Sequence, residues 1–369
     1  MSFNTIRVAL IGCGRIAGHH CAALTATTDV SLAAVCDLDI EKAEAYGTQF
    51  NVPHFTNYHS MLTKEANIDV VAIITPSGMH GEHAMDILDD YNKHVIVEKP
   101  TFMRPDQLYK AYDLAEKYGM HIFPVFQNRY NKAVKRVRHA LDLDELGSIR
   151  LVNVRLRWCR PQRYYDLAAW RGTFSHDGGC LTNQGIHHID LIRHLCGEVN
   201  RVNAIMKTMG VDIEAEDAVT ATLEFDSGAI GSLEVTTAAR PDDFEASISI
   251  VGSTGLAQIG GIAVNELQIF TPSPAECSTN SEDFKGIEGH GAVYGYGHAK
   301  MYCDIVTDLN GGASYPVSRS DCLATLKLLD SFYRSDEAGT WIGVADDAQS
   351  VRLGRENKAI SNLYKTAKP

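Results

Sequence analysis

The chain has 369 residues, a formal net charge of −12 and a hydrophobic content of 45%. A single core rarely keeps growing beyond about 250–300 residues, so this length favours two domains. The acidic balance argues against electrostatic binding to nucleic acid or to an anionic membrane, although a locally positive pocket for an anionic small molecule is compatible with it.

Nine cysteines are scattered from Cys13 to Cys322, and no two of them form a C-x-x-C pair. The odd number and irregular spacing favour reduced, mostly buried thiols over disulfides or a zinc site. No signal peptide precedes the first strand-like run, and no apolar run approaches the roughly 20 residues that a membrane helix needs. These features predict a soluble cytoplasmic protein without a bound metal.

The first 126 residues alternate between strand-like and helix-like segments. Short apolar runs, typical of parallel strands covered on both faces, lie at residues 7–11, 32–36, 69–74, 94–97 and 121–126. Asp39 is placed to cap a helix that runs to Phe50, and residues 104–118 resemble a helix that Gly119 ends. This alternation predicts an α/β domain over residues 1–126, with the doubly wound parallel sheet of a Rossmann fold.

The pattern changes after residue 126. A helix is predicted at residues 131–141, and longer alternating stretches follow at 149–158, 218–225, 229–237, 245–251 and 267–270. Residues 226–228 and 252–255 are typical of hairpin connections, and helical periodicity returns at 298–310 and 320–335. Residues 127–369 are therefore expected to form an α+β domain with a large, mostly antiparallel sheet that serves substrate binding and oligomerisation.

A glycine-rich motif lies between the first strand and a helical segment. Its members are Gly12, Cys13, Gly14, Arg15, Ile16 and Ala17. Gly12 permits a tight turn, Gly14 lets the backbone approach a pyrophosphate, and the following helix offers its N-terminus to the phosphates. Asp37 ends the second strand, where a carboxylate binds ribose hydroxyls and repels a 2′-phosphate, so NAD is favoured over NADP. The alternatives are a plain glycine turn and an Asp37 that caps the next helix.

The third and fourth strands end in polar tips, at Thr75-Pro76 and at Glu98-Lys99. Ligands of open parallel sheets lie beyond the carboxyl ends of the strands, so both tips should border the cofactor. Lys99, fixed before a proline, is placed to donate a hydrogen bond to a substrate oxygen. The alternative is an ordinary surface lysine.

A second group of polar residues follows Gly178 and Gly179. If residues 182–196 form one helix, Asn183, His187 and Asp190 share one polar stripe. Histidine is the natural general base for an alcohol near neutral pH, and a hydrogen-bonded structural histidine is the alternative. Gly185 within this helix indicates that another group approaches the backbone closely.

The glycine motif, Glu98-Lys99-Pro100 and the Asn183-x-x-x-His187 pair together resemble the Gfo/Idh/MocA oxidoreductases over nearly the whole chain. This resemblance implies an NAD(P)-binding Rossmann domain, with Lys99 and His187 as the catalytic lysine and histidine. Many sugar and inositol dehydrogenases of the family carry aspartate where this chain has Asn183, which argues against an inositol substrate.

Within that family, five segments resemble UDP-N-acetylglucosaminuronate 3-dehydrogenases: residues 160–165, 170–173, 182–184, 260–265 and 294–298. The resemblance implies oxidation of carbon 3 of a UDP-sugar, surface-polysaccharide synthesis and a homotetramer or dimer. The cofactor site is then expected to comprise Gly12, Gly14, Arg15, Ile16, Asp37, Thr75, Pro76, His80, Glu98, Lys99, Gln127, Trp170 and Arg171. The substrate site is expected to comprise Arg160, Tyr164, Tyr165, Asn183, His187 and Tyr296.

The expected mechanism has His187 taking the hydroxyl proton while Lys99 polarises the oxygen and Asn183 orients the substrate. It requires that these side chains meet at one reactive carbon. The enzymatic alternative is an NAD-dependent dehydrogenase of a free sugar or inositol. An alternative of another class is a non-catalytic NAD-binding sugar sensor on the same fold.

Overall fold

The computed structural model describes residues 5–284 and 294–368. Contacts between Cα atoms divide the chain into two compact units. The first contains the chain up to Val125, then His298–Leu323 and the segment from Glu356; the second contains Phe126–Gly297 and Ala324–Arg355. Two segments after residue 126, His298–Leu323 and the segment from Glu356, thus differ from the expected assignment of residues 127–369 to the second domain.

The first unit begins with alternating strands and helices. They are β1 (Ile6–Ile11), α1 (Ala17–Ala26), β2 (Val30–Cys36), α2 (Ile40–Phe50), β3 (His54–Phe55), α3 (Tyr58–Lys64), β4 (Val70–Ile73), α4 (His80–Tyr91), β5 (His94–Val97), α5 (Pro105–Tyr118) and β6 (Ile122–Pro124). Asp39 caps α2 by accepting from the Glu41 amide, as expected. Gly119 ends α5 in the left-handed conformation, also as expected.

These strands form one parallel six-stranded sheet in the order β3-β2-β1-β4-β5-β6. The core strands are apolar throughout, because helices cover both faces; Val8, Ala9 and Leu10 are completely buried. The strand order reverses between β1 and β4, which is the place where this fold binds ligands. The predicted doubly wound Rossmann sheet is confirmed.

The second unit contains most of the remaining elements. They are α6 (Lys132–Asp142), β7 (Ile149–Arg157), α7 (Gln162–Tyr165), α8 (Gly179–Asn183), α9 (Ile186–Cys196), β8 (Val199–Lys207), β9 (Ala218–Phe225), β10 (Ile230–Thr236), β11 (Glu245–Gly252), β12 (Leu256–Gly260), β13 (Glu266–Phe270) and α10 (Glu276–Thr279). After them come α11 (Gly297–Leu309), α12 (Arg319–Ala338), β14 (Ile342–Gly343) and α13 (Lys358–Ser361). α11 from His298 onward and α13 pack with the first unit.

The second sheet has eight strands in the order β13-β12-β11-β7-β10-β9-β8-β14. All its neighbours are antiparallel except β7 and β10, which confirms the predicted, mostly antiparallel sheet. The β9–β10 and β11–β12 hairpins turn at the two segments predicted from their glycines.

The cysteines are free thiols, and all are buried except Cys159, Cys277 and Cys303, as their spacing indicates. Within the described residues, every helix is either too short or too polar to cross a lipid bilayer.

Candidate active site

The glycine loop between β1 and α1 has the geometry that a dinucleotide needs. Gly12 has a φ of +100°, and a Cβ atom there would lie 2.7 Å from the carbonyl oxygen of Ile74. Only glycine fits such a position. A Cβ atom on Gly14 would meet no atom within 4 Å, so the backbone there is open to an approaching phosphate. Ala17 begins α1 and is completely buried, which lets the helix pack closely on the sheet. The loop therefore fits the pyrophosphate of NAD.

Asp37 follows β2 and organises the glycine loop. Its Oδ2 accepts from the backbone N–H of Cys13 at 2.7 Å, and its Oδ1 accepts from the N–H of Asp39 at 2.9 Å. The helix cap itself is Asp39, so the alternative in which Asp37 merely caps α2 is wrong. Each carboxylate oxygen has more than one lone pair, so Asp37 has acceptor capacity left for the hydroxyls of a ribose.

The tips of β4 and β5 carry Thr75 and Lys99, both half-buried. The hydroxyl of Thr75 lies 3.0 Å from His83 Nδ1. His80 lies between two backbone carbonyls, with Nδ1 2.8 Å from Pro100 O and Nε2 3.0 Å from Thr75 O. Burial lowers the pKa of His80, and the neutral ring carries one N–H, so it donates to one of these two carbonyls.

Glu98 is buried as well, and its carboxylate is engaged within the first unit. Both His80 and Glu98 therefore have partners beneath the strand tips, and their contact with the cofactor stays a prediction. Lys99 lies between two residues that are both held in place.

The second polar group differs from the sequence expectation. The predicted helix over residues 182–196 is two helices, α8 and α9, separated at Gln184 and Gly185. A Cβ atom on Gly185 would lie 2.7 Å from Leu181 O, so the close approach that Gly185 indicates comes from the backbone of α8. His187 and Asp190 share α9, but Asn183 belongs to α8 and is not on their stripe.

His187 is buried at the start of α9, and its Nε2 lies 3.4 Å from Nε2 of buried Gln127. The amide nitrogen of glutamine can only donate, so His187 Nε2 is the acceptor and the ring proton resides on Nδ1. A neutral imidazole with a lone pair on Nε2 is the form that a general base requires.

One turn further along α9, Asp190 forms a buried, bidentate ion pair with Arg129, at 2.7 Å from Arg129 Nε and 2.5 Å from Nη2. Arg129 follows Gln127 within one short 3₁₀ turn, Gln127–Tyr130. The ion pair therefore fixes the segment that carries Gln127 against the helix that carries His187.

Asn183 is held by a residue that the sequence analysis missed. Its amide donates to Oδ1 of Asp177, whose Oδ2 accepts from the Gly172 N–H at 2.7 Å. Asp177 and Asn183 are both buried. The adjacent glycines were the available signal, because Gly178 and Gly179 both have φ values of +76° and a turn of that kind exposes backbone groups to be capped.

Glu216 is a second residue that the sequence did not reveal. Its Oε1 accepts from the Leu181 N–H at 3.1 Å and from the Tyr333 hydroxyl at 2.8 Å. Burial raises the pKa of Glu216 to about 8. A protonated glutamic acid therefore supports the first turn of α8 from below.

The arginines and aromatic residues at the end of β7 and after it divide into two groups by their partners. Arg157 is paired with Glu234, and Arg160 with Asp243, so both guanidinium groups already have carboxylate partners. Tyr165 is buried with its hydroxyl 2.9 Å from Thr237 Oγ1, and its contact with the substrate stays a prediction.

The remaining group is centred on Tyr164. Arg171 lies over its ring, 4.4 Å from the centroid, and donates to its hydroxyl at 2.6 Å. Arg171 also lies over Trp170, at 4.5 Å. A planar, cationic and aromatic surface of this kind suits a sugar ring with an anionic substituent. Tyr296 is exposed and packs against Phe284.

Comparisons with known proteins agree with these observations. A family model described as an oxidoreductase family with an NAD-binding Rossmann fold matches residues 6–126. A model described as the GFO/IDH/MocA C-terminal domain matches residues 134–258. The predicted fold class and NAD cofactor are confirmed.

Solved structures that resemble the chain over most of its length include two dehydrogenases named WlbA, each in complex with NADH and UDP-GlcNAcA. The Bordetella pertussis enzyme is 32% identical, with a TM-score of 0.86, over 94% of this chain and 100% of that one. The Chromobacterium violaceum enzyme is 33% identical, also with a TM-score of 0.86, over 94% and 98%. D-glucoside 3-dehydrogenase of Escherichia coli (strain K12) is 28% identical over 256 residues, 63% of this chain and 71% of that relative.

Proposed function

This chain belongs to the Gfo/Idh/MocA family of NAD-dependent oxidoreductases, and we propose that it oxidises carbon 3 of a UDP-linked N-acetylglucosaminuronate-like sugar. The coarser statement, an NAD-dependent dehydrogenase that acts on a sugar or inositol hydroxyl, follows from its relatives. The observation that carries the finer proposal is the extent of the likeness. At nearly equal coverage, the two enzymes crystallised with UDP-GlcNAcA are 32% and 33% identical over 94% of the chain, whereas inositol 2-dehydrogenase of Rhizobium meliloti (strain 1021) is 24% identical over 92%.

His187 is the proposed general base. Its Nε2 accepts from the Gln127 amide in the structure, and a substrate hydroxyl can take the place of that donor. As the hydroxyl loses its proton to Nε2, the imidazole becomes protonated on both nitrogens. General bases of this kind contribute about 10²–10⁴-fold to the rate.

Lys99 is proposed to donate a hydrogen bond to the same substrate oxygen and to stabilise the negative charge that develops on it. NAD, when bound in the glycine loop, supplies the hydride acceptor. The chain's own contribution is to hold Lys99 at the tip of β5. Glu98, on one side, accepts from the Lys99 amide, and the carbonyl of Pro100, on the other side, contacts His80.

Arg171, Trp170 and Tyr164 are proposed to contact the sugar or the nicotinamide ribose, and Asn183 to orient the reacting hydroxyl. The stacking of Arg171 on Tyr164 and Trp170 supports the first role. The hydrogen bond from the Asn183 amide to Asp177, which fixes the side chain, supports the second. Arg160 is proposed to act only through its aromatic contacts, since Asp243 already pairs with its charge.

A free sugar is the second candidate substrate, because D-glucoside 3-dehydrogenase is among the relatives and also acts at carbon 3 by its name. The sensor alternative receives no such support, since the named relatives are dehydrogenases. We further propose that the enzyme serves surface-polysaccharide synthesis as a homo-oligomer. In support of assembly, Leu151 and Ile230 are exposed apolar neighbours in register on the large sheet.

The test is the formation of NADH with UDP-N-acetylglucosaminuronate, the same sugar without UDP, and a methyl glucoside. The proposal expects kcat/KM to fall at least about 100-fold when UDP is removed, because binding energy from a non-reacting part of the substrate lowers the barrier at the reacting carbon. Equal or higher activity with the free sugar or the glucoside would overturn the nucleotide-sugar assignment. Lys99→Met and His187→Asn should bind NADH normally and lose at least about 100-fold in kcat.

A further inference from the structure

Four buried polar side chains form a cluster directly behind Lys99 in the first unit. They are His20 on α1, Glu98 after β5, and His298 and Tyr302 on α11, exposed by 0%, 5%, 2% and 0%. Buried polar groups persist where they are hydrogen-bonded or serve a function. All four side chains are buried, so any effect of the cluster on the site must pass through the residues that it contacts.

The two oxygens of the Glu98 carboxylate contact different groups. Oε2 accepts from the backbone N–H of Lys99 at 2.9 Å. Oε1 lies 3.1 Å from His20 Nε2 and 3.6 Å from His298 Nε2. One carboxylate thus joins the strand tip that carries Lys99 to two helices.

The direction of the hydrogen bonds follows from the chemistry. A carboxylate only accepts, so His20 Nε2 carries the proton that it shares with Glu98. His20 Nδ1, 2.8 Å from the Tyr302 hydroxyl, is then the acceptor, and Tyr302 donates. The donors form a chain that runs from Tyr302 through His20 to Glu98.

This chain stabilises a buried negative charge. Burial by itself would raise the pKa of Glu98, but the hydrogen bond from His20 and the nearby His298 ring outweigh burial and hold the pKa well below its usual range. Burial lowers the pKa of His298, which leaves that ring neutral. The cluster therefore presents an anionic acceptor to the Lys99 amide.

We propose that Glu98, oriented by His20, His298 and Tyr302, is the positioning residue that fixes the backbone of Lys99. On the other side of Lys99, His80 contacts the carbonyl of Pro100 at 2.8 Å. The backbone is thus held on both sides of Lys99. This inference rests on the role of Lys99 in the proposed function, where an error of about 1 Å costs roughly 100-fold in rate.

The same cluster explains why the chain returns to the first unit after residue 297. His298 and Tyr302 lie one turn apart on α11, so both face the same side of that helix. Tyr302 contacts His20 Nδ1, and His298 Nε2 lies 3.6 Å from Glu98 Oε1, so α11 completes the cluster from both sides of Glu98 and His20.

A metal ion is the competing explanation, because ligand atoms of His20, Glu98 and His298 all lie within 4.8 Å of one another. We favour the hydrogen-bonded form, since Oε2 is already committed to the Lys99 amide and the Tyr302 hydroxyl orients His20 to donate. A divalent cation at this position would also place excess positive charge beside Lys99.

The test compares Glu98→Gln and Tyr302→Phe with Glu44→Gln, an exposed glutamate of α2, as the matched control. With Glu98→Gln, kcat should fall about 10- to 100-fold while the NADH dissociation constant changes less than about twofold. Tyr302→Phe should lower kcat about 3- to 10-fold, and should add nothing in the Glu98→Gln background, because it acts through Glu98. Unchanged kcat in both variants, or additive losses, would overturn the proposal.

Hydrogen exchange gives a readout that does not depend on the substrate. The Lys99 amide should exchange at least about tenfold faster in Glu98→Ala than in the wild type, and at the wild-type rate in the control. If the Lys99 amide exchanges at the wild-type rate in Glu98→Ala, the positioning proposal is overturned even if the enzyme is active. If its exchange is faster but the wild type turns over none of the sugars, only the proposed function is overturned. One equivalent of zinc in the purified protein, lost in His298→Ala, would replace the hydrogen-bonded account with a metal site.

Discussion

Asp177 and Asn183 form a buried pair in which the amide of Asn183 donates to a carboxylate oxygen of Asp177. Aspartate at position 183, which the family resemblance favours, would place two carboxylates in this contact. The amide in this chain is therefore matched to Asp177.

Asn183→Asp should destabilise the protein by about 2–4 kcal/mol at pH 8, because two buried carboxylates repel each other and lose water. The loss should be smaller at pH 5, where the pair shares a proton. Asp177→Asn combined with Asn183→Asp reverses the donor and acceptor and should recover most of the stability. Urea denaturation at both pH values measures these differences; a single variant as stable as the wild type at pH 8 would contradict the matched-pair account.

Gln127→Glu should shift the pH profile of the enzyme. A carboxylate next to His187 Nε2 favours the protonated imidazole, so the base is available only at higher pH. The acidic limb of kcat/KM should move up by about one to two pH units, with lower activity at pH 7. Gln127→Leu removes the hydrogen bond without adding charge and should not move the limb upward. If the two variants have the same profile, His187 is not the titrating base.

Asp37→Ala should weaken NAD binding at least about tenfold, because it removes both the ribose acceptor and the hydrogen bond to the Cys13 amide. It should also raise the ratio of NADP to NAD affinity, since no carboxylate remains to repel the 2′-phosphate. Fluorescence titration with both reduced cofactors gives the two dissociation constants. An unchanged ratio would show that Asp37 does not set the cofactor preference.

Glu216→Gln should change how stability depends on pH. Burial raises the pKa of Glu216 from 4.5 to about 8, so between these values the folded protein keeps a proton that the unfolded chain has lost. Stability therefore falls as pH rises through this window, by at most about 1.4 kcal/mol per pH unit. The glutamine resembles the protonated acid and should flatten this slope and raise stability at pH 8. Glu116→Gln, at a side chain that is 83% exposed, is the control. Identical thermal-unfolding profiles for wild type and Glu216→Gln would contradict the buried acid.

The fold was largely predictable from the sequence, because buried parallel strands form unbroken apolar runs and glycines mark their turns. β5 and β9 occupy the predicted residues. β8 and β12 were missed: Asn200-Arg201 and Ala204-Ile205-Met206 interrupt the alternation of β8, and β12 is short and contains glycine. The break between α8 and α9 was missed because Gln184 and Gly185 fit a helical pattern locally.

The site was predictable only where local chemistry marks it. Gly12 and Asp37 lie at fixed positions next to strands, and the structure gives each a matching contact. Glu216 and Tyr302 gave no signal, because their roles arise from contacts with residues that are distant in the chain. Arg160 and Tyr165 had the right chemistry for a ligand but already have partners within the fold.

The most direct test of the central claim is the transfer of label from UDP-N-acetylglucosaminuronate that carries deuterium only at carbon 3. The reaction should yield NADH that is heavier by one mass unit, at a rate that falls at least about 100-fold in Lys99→Met and in His187→Asn. Unlabelled NADH formed from this substrate would contradict oxidation at carbon 3. Labelled NADH formed at the wild-type rate by both variants would remove Lys99 and His187 from the mechanism.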